Sequence, residues 1–260
     1  MGKIFKFILL VILVLCIVSF IFNSYNNNPE VIIKNVFKVG QFNPQMLKYR
    51  IYAFGIFPVG EAYFYKAMLE KVNGKDLYHV KGEARCLNII AAFFKAGATL
   101  DSYIDPVDFN PVLFKQQLVI SGKSNLDKVV SYDQKQGVMI TDGSKRQILS
   151  NTQDPLSLMF NLRKMDFDKN KDIEMSINTN QKNYVLKGQI EARDITSMGS
   201  KYKAYLGKAE ISRRDKNNPY HRSQITIWFV KRQENIPILI KVFASGFHIT
   251  ARLVEIKEGS

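Results

Sequence analysis

Hydrophobic and polar residues alternate with a period of two over most of the chain after residue 45, which is the pattern of half-buried β-strands. In residues 76–86 one face carries Tyr78, Val80, Gly82, Ala84 and Cys86, and the other carries His79, Lys81, Glu83 and Arg85. The same alternation predicts strands at 46–54, 59–70, 98–105, 112–121, 126–133, 138–141, 172–179, 183–195, 201–213, 222–232, 236–244 and 247–256. So many strands predict an all-β or β-rich fold, a single antiparallel curved sheet or incomplete barrel.

Two positions interrupt this pattern. Asp154 is a good N-cap residue, Pro155 suits the first helical position, and Leu158 and Leu162 follow at helical spacing, so one main helix is predicted here. Within 201–213 the apolar residues change from one parity to the other at Gly207, which predicts a β-bulge.

Residues 87–95 are too apolar for an ordinary connection between two strands. Ile89, Ile90, Phe93 and Phe94 would share one side of a short helix. Such a segment either plugs the core or forms a lid over an apolar cavity, and the sequence leaves both open.

The single tryptophan, Trp228, falls on the opposite strand face from Ile227 and Phe229. An exposed indole would leave a large apolar area in water, so either the sheet is covered on both sides here or the ring lies in a groove. Coverage by the Asp154 helix or a neighbouring loop is the favoured expectation. Trp228 is therefore a candidate, with the four residues of 87–95, for the wall of a ligand cavity.

The N-terminus predicts export. Lys3 and Lys6 precede an apolar run of about 19 residues, the threshold for a transmembrane helix. The lysines place the N-terminus in the cytoplasm and the following chain outside it. The prediction is a signal anchor over 1–24, a tether over 25–45 and a β-rich exported domain over 46–256, anchored to the inner membrane and lying in the periplasm. A cleaved signal and a free periplasmic protein remain the alternative.

Charge narrows the choice of partners. Thirty-seven basic and 23 acidic residues give a net charge of +14. An exported chain meets little nucleic acid, so the membrane, lipid or an anionic envelope polymer are the expected partners. The densest basic cluster, a candidate surface for such a partner, comprises Lys201, Lys203, Lys208, Arg213 and Arg214.

Recognisable catalytic chemistry is missing from the sequence. It contains no nucleophile elbow, zinc-protease, phosphate-loop or dinucleotide motif. The three histidines are isolated. Asp101, Asp105 and Asp108 could suggest paired carboxylates, but they flank Pro106 in a predicted turn, where Asp commonly bonds the backbone. No catalytic residue, metal site or cofactor is therefore predicted.

Four stretches resemble the exported bacterial family called domain of unknown function 3108. They are Tyr52 to Glu61 with Pro58-Val59-Gly60-Glu61; Ser102-Tyr103-Ile104-Asp105 followed by Asn110-Pro111; Asp154-Pro155-Leu156-Ser157-Leu158 with Leu162-Arg163; and Ile227-Trp228-Phe229 with Ile236-Pro237-Ile238 and Gly246. Together they cover about residues 46–256. The resemblance implies an envelope protein with no established activity and no catalytic residues to carry over.

Three functions remain open on this basis. The favoured one is a non-enzymatic envelope module that binds an apolar or amphipathic ligand, or a partner in envelope assembly. The others are a hydrolase or transferase acting on an envelope polymer, and a purely structural scaffold. An apolar pocket near residues 87–95 would favour the first, and converging titratable side chains would favour the second.

Overall fold

The computed structural model describes residues 27–37, 44–87, 96–120, 126–197, 199–214 and 222–258. These residues form two helices, α1 (Pro29–Val36) and α2 (Pro155–Lys164). The strands are β1 (Pro44–Ala53), β2 (Phe57–Tyr65), β3 (Met68–Val72), β4 (Lys75–Cys86), β5 (Ala96–Ile104), β6 (Pro111–Ile120), β7 (Leu126–Asp133), β8 (Val138–Thr141), β9 (Ser144–Gln147), β10 (Asp172–Thr179), β11 (Lys182–Ala192), β12 (Ile195–Ser197), β13 (Ser200–Tyr202), β14 (Ala204–Arg213), β15 (Arg222–Lys231), β16 (Asn235–Ala244) and β17 (Phe247–Glu258).

Fifteen of the described strands form one antiparallel sheet, which confirms the predicted all-β class. Their order is β10-β11-β14-β15-β16-β17-β1-β2-β4-β5-β6-β7-β8-β9, with β3 also paired to β4, while β12 and β13 form a separate hairpin. The described strands do not close into a barrel, and β9 and β10 are the two edges. Gln153 makes a parallel bridge to Ile177 of β10, and Asn183 of β11 donates to the carbonyl of Gln147 in β9. The sheet is therefore curved enough to bring its edges close together.

Helix α2 is the predicted helix, and it packs against β4, β5, β10 and β16. These strands come from both halves of the sheet, so α2 lies within the curve. The sheet face toward α2 is called the inner face below. Leu162 joins one core cluster with Phe229 and Ile173, whereas Leu156 and Phe160 join another with Val80 and Ile104.

Helix α1 lies in the range that sequence analysis assigned to a tether. Its Ile32, Ile33 and Val36 are buried, and they form a core cluster with Tyr49, Ile238 and other residues of the sheet. The side chain of Asn28 caps its N-terminus by accepting from the Glu30 N–H at 2.9 Å. Ser197 of β12 also donates to the carbonyl of Glu30 at 2.9 Å, so the helix is fixed to the β12–β13 hairpin.

The bulge predicted at Gly207 is wrong. The pairing of β14 with β11 and with β15 runs through Gly207 without a register shift. The change of parity arises because this part of β14 is covered on both faces. Ala204 packs into the cluster that contains α1, and Tyr205 packs into the cluster that contains Leu162 of α2. Both parities are therefore apolar although the strand is regular.

The predicted signal anchor, residues 1–24, lies outside the described residues. Neither α1 nor α2, the helices of the described ranges, is long and apolar enough to cross a membrane.

Candidate ligand-binding cavity

An apolar, partly open cavity of about 230 Å³ lies between the N-terminal half of α2 and the inner face of the sheet. It is lined by Tyr49, Ala62, Tyr63, Phe64, Gly82, Glu83, Ala84, Ala98, Leu100, Pro155, Leu156, Met159, Ile240 and Ala251. Ligand pockets for drug-sized molecules start at roughly 300 Å³. The space therefore suits one linear apolar chain better than a whole two-chain lipid.

Small side chains in register on neighbouring strands form the floor of the cavity. Ala62 of β2 pairs with Ala84 of β4, and Ala84 pairs with Ala98 of β5. Residues paired across an antiparallel sheet project from the same face, so three methyl groups lie side by side beneath α2. Tyr49 of β1 continues the row, because it pairs with Ala62. Larger side chains in this row would fill the space that the cavity occupies.

The roof is α2, whose N-terminus is fixed to β5. Asp154 caps the helix by accepting from the N–H groups of Leu156 at 2.8 Å and Ser157 at 3.0 Å. The hydroxyl of Ser102 on β5 donates to the other carboxylate oxygen of Asp154 at 2.6 Å. Burial raises the pKa of Asp154 to about 6, against the lowering effect of these hydrogen bonds.

Gly82 lets the Leu156 side chain of the roof pack directly on the floor. A Cβ at this position would lie 2.9 Å from Cδ2 of Leu156, closer than side chains pack. The C-terminal end of α2 is held separately, because Nδ2 of Asn235 donates to the carbonyls of Leu162 at 3.2 Å and Met165 at 2.7 Å. Both ends of the roof are therefore attached to the sheet.

Charged groups gather on the opposite face of the same strands. The buried carboxylate of Glu61 lies 3.1 Å from Lys48 Nζ, 3.0 Å from Arg50 Nη2 and 3.1 Å from Arg85 Nη2. The hydroxyl of Tyr63 donates to it at 2.7 Å, and this bond, followed by those from Lys48 and Arg85, lowers the pKa of Glu61 to about 2. Glu61 is thus ionised at neutral pH and lies outside the cavity.

A second, polar groove of about 650 Å³ runs beside α2 and is lined mainly by amide and acidic side chains. Its amides bond one another: Gln153 donates to Asn110 at 2.8 Å, and Asn161 donates to Gln153 at 2.9 Å. Asp108 accepts from the N–H of Asn110, as its predicted turn role requires. These contacts hold the turn against α2.

His79 also has a structural environment. Its Nδ1 lies 3.0 Å from Glu70 of β3 and its Nε2 lies 2.8 Å from Asp101 of β5, and its ring stacks on Tyr103. The contacts tie β3 and β5 to β4. Among the residues in the described ranges, no group of three or more His, Cys, Asp and Glu side chains could hold a metal ion.

Four of the predicted cavity residues, Ile89, Ile90, Phe93 and Phe94, lie outside the described residues. The strands that flank them carry the floor, since Ala84 lies near the end of β4 and Ala98 near the start of β5. Trp228 does not line the cavity. It packs on the opposite face from Ile227 and Phe229, as predicted, against the cluster that contains α1 rather than under α2.

The predicted basic surface does not form one patch. Lys201 pairs with Asp194 at 3.0 Å, and Lys203 pairs with Asp168. Arg213 and Arg214 lie at the far end of β14, which extends about 30 Å from Ala204. Lys208 is exposed midway along the strand.

Sequence reasoning missed the floor alanines and the roof residues Leu156 and Met159. The signal was present, since Gly82 and Ala84 were placed on one face of a strand. Small residues at successive inner-face positions are what a cavity wall needs, but the pattern alone does not show that a helix covers them.

Comparison with known proteins identifies a similar fold and a family. The chain is similar to the crystal structure of a β-barrel-like protein of domain of unknown function DUF1849 from Brucella abortus, with a TM-score of 0.55 and 11% identity. The match covers 85% of this chain and 99% of that one, and at such low identity it concerns the fold alone. A search of the curated proteins finds no match. The family described as Protein of unknown function (DUF3108) matches residues 48–252, and the chain belongs to this family.

Proposed function

We propose that this protein is a non-enzymatic binding module that holds one apolar chain of an amphipathic ligand in the cavity beneath α2. The observation that carries the proposal is the row Ala62, Ala84 and Ala98 lying under a helix attached at both ends. A core without a ligand would be expected to fill such a row, because interiors are packed to high density.

The character of the lining supports an apolar ligand. Apart from the hydroxyl of Tyr49, which donates to the carbonyl of Pro237 at 2.7 Å, the side chains on the inner-face row carry no polar atom. An apolar chain would therefore leave no lining group without a hydrogen-bond partner, whereas a polar ligand would find few partners.

The test is to fill the floor and measure binding of a fluorescent fatty acid. Ala84→Leu places three further carbon atoms in the cavity and should weaken probe binding at least about tenfold, or ~1.4 kcal/mol. Because the added carbons enter existing space, the melting temperature should stay the same or rise.

Ala192→Leu is the matched control, because Ala192 is exposed at the end of β11. It makes the same chemical change and should leave probe affinity unaltered. Equal affinities of wild type and Ala84→Leu would refute the proposal, and so would equal weakening by both variants.

A further inference from the structure

Exposed aromatic side chains gather at the tips of two neighbouring hairpins. Phe54 in the β1–β2 turn and Phe57 at the start of β2 are 56% and 57% exposed. Phe247, the first residue of β17, is 58% exposed. The rings of Phe54 and Phe247 lie 5.7 Å apart between centroids. Ile249, also exposed, adjoins them, because it pairs with Ala53. This group of four is called the aromatic tip.

Folding does not account for Phe54 at the aromatic tip. Phe54 has a φ of 51°, in the left-handed region, and the next residue, Gly55, has a φ of 71°. Asn, Asp or Gly is preferred at the first of these positions, and a bulky residue there costs roughly 1–2 kcal/mol. Phe54 thus combines an unfavourable backbone with a ring that is half in water.

The aromatic tip continues into the cavity along the inner face of the sheet. Ile249 pairs with Val242 and with Ala53, and two residues along each strand Ala251 pairs with Ile240 and with Ile51. Ile240 and Ala251 line the cavity. Since residues two apart on a strand share a face, an unbroken apolar row connects the exposed rings with the proposed ligand site.

Basic residues flank this end of the sheet. The first or last three residues of the strands here, with their described turns, include Lys128, Lys145, Arg146, Lys182, Arg213 and Arg214. The acids in the same described parts are Asp127 and Asp142. The described strand ends and turns on the side of the sheet that carries Phe54, Phe57 and Phe247 are therefore positively charged overall.

We propose that the aromatic tip docks on the surface of an anionic phospholipid bilayer. Interfacial binding combines apolar side chains that enter the headgroup and acyl boundary with bases that attract anionic lipid, worth about 1 kcal/mol each. The charge around the tip fits such a surface, and the apolar row gives an acyl chain a path from the bilayer to the cavity. The docking proposal depends on the residues of the aromatic tip and goes beyond the proposed function, which concerns the cavity.

The experiment uses the full chain with vesicles of phosphatidylcholine and phosphatidylglycerol whose acyl chains are brominated, so that they quench indoles in the bilayer. Phe247→Trp adds an indole at the tip, and its emission should fall about twofold relative to non-brominated vesicles, as expected of a ring ~5–10 Å into the interface. The wild type, with Trp228 alone, supplies the baseline.

Val107→Trp is the matched control, because Val107 is 86% exposed in the β5–β6 turn at the opposite end of the sheet. All variants share residues 1–24, so a difference between positions 247 and 107 reports the orientation of the domain. The added indole at 107 should not be quenched, and phosphatidylcholine alone should weaken quenching at 247.

No quenching at 247, or equal quenching at 247 and 107, overturns the proposal. If the indole at 247 is quenched equally in vesicles with and without phosphatidylglycerol, the part of the proposal that requires an anionic surface is wrong. Ala84→Leu combined with Phe247→Trp separates the two proposals: quenching that persists while fatty-acid binding is lost shows docking that is independent of the cavity. Normal fatty-acid binding by the single variant Phe247→Trp, without quenching of its added indole, shows that docking fails while the cavity proposal stands.

Discussion

Asp154 connects the N-cap of α2, the cavity roof and β5 through one buried carboxylate. Its three hydrogen bonds stabilise the ionised form, but burial outweighs them and raises its pKa to about 6. An Asp with a raised folded-state pKa binds its proton more tightly in the folded protein than in the unfolded chain. The acid that positions the roof therefore also makes stability depend on pH.

The sign of that dependence gives a prediction. The contribution of Asp154 is fully present below its unfolded pKa of about 3.8, and it is lost as pH rises through about 6. Raising the pH from 5 to 7 should lower its share of the unfolding free energy by about 1 kcal/mol, since one pK unit corresponds to ~1.4 kcal/mol.

Asp154→Asn provides the comparison, because an amide oxygen can still accept from the N–H groups of Leu156 and Ser157. Urea unfolding at several pH values should show the difference between wild type and variant changing over this range. A difference that is constant from pH 5 to 7 would contradict the pKa assignment.

At the scale of elements, α1 is part of the core rather than a linker. Ile33 is fully buried, whereas Asn35 two residues later is exposed. Replacing a buried Ile by Ala removes apolar contacts and leaves a cavity, at a cost of about 2–5 kcal/mol. A helix that merely connected the domain to a preceding segment would tolerate the change.

We therefore predict that Ile33→Ala lowers the unfolding free energy by about 2–5 kcal/mol. Denaturant unfolding followed by the emission of Trp228 measures this, since Trp228 packs against the same cluster. Asn35→Ala should change stability by less than about 0.5 kcal/mol. Equal effects of the two variants would place α1 outside the cooperative core.

The elements differ in how well the sequence predicts them. Strand β4 could be located because each of its two faces meets a single kind of environment. Hydrophobic and polar residues therefore alternate regularly along it. At β14 two cores meet, both parities are apolar, and the alternation that should locate inner and outer faces instead indicated a bulge at Gly207. Helix α1 escaped prediction because it has 8 residues, and its buried face depends on a hairpin some 160 residues later in the chain.

The cavity was predictable only in part, because it too depends on contacts between segments that are distant in the sequence. The inward placement of Gly82 and Ala84 follows from local alternation. Their register with Ala62 and Ala98, and the height of α2 above them, depend on pairings and on the Ser102–Asp154 contact between distant segments. The sequence could therefore place small residues on a face but could not show a space above them.

At the scale of the whole molecule, α2 joins two parts of the sheet. Phe160 packs with Val80 and Ile104 in the half that contains β4 and β5, while Leu162 packs with Phe229 and Ile227 in the half that contains β14 and β15. Arg163 adds an ion pair of 2.9 Å with Glu234, and its guanidinium lies over the ring of Phe64. One helix of 10 residues thus holds core side chains of both halves.

This arrangement predicts that the described domain unfolds as one cooperative unit. Phe160→Ala should cost about 3–5 kcal/mol by leaving a cavity among the residues of β4 and β5. If α2 couples the halves, the denaturant midpoint reported by Trp228, which lies on β15 in the other half, should fall by the same amount as the midpoint from circular dichroism. Leu69→Ala is the control, because Leu69 is 58% exposed on β3, and neither midpoint should move.

A Trp228 midpoint that stays at the wild-type value while the circular dichroism transition splits would show that the halves are independent and that the roof can detach from one of them. Coincident shifts would mean that opening the cavity requires loosening the whole fold, so a ligand must enter through the open side of the cavity rather than by release of α2.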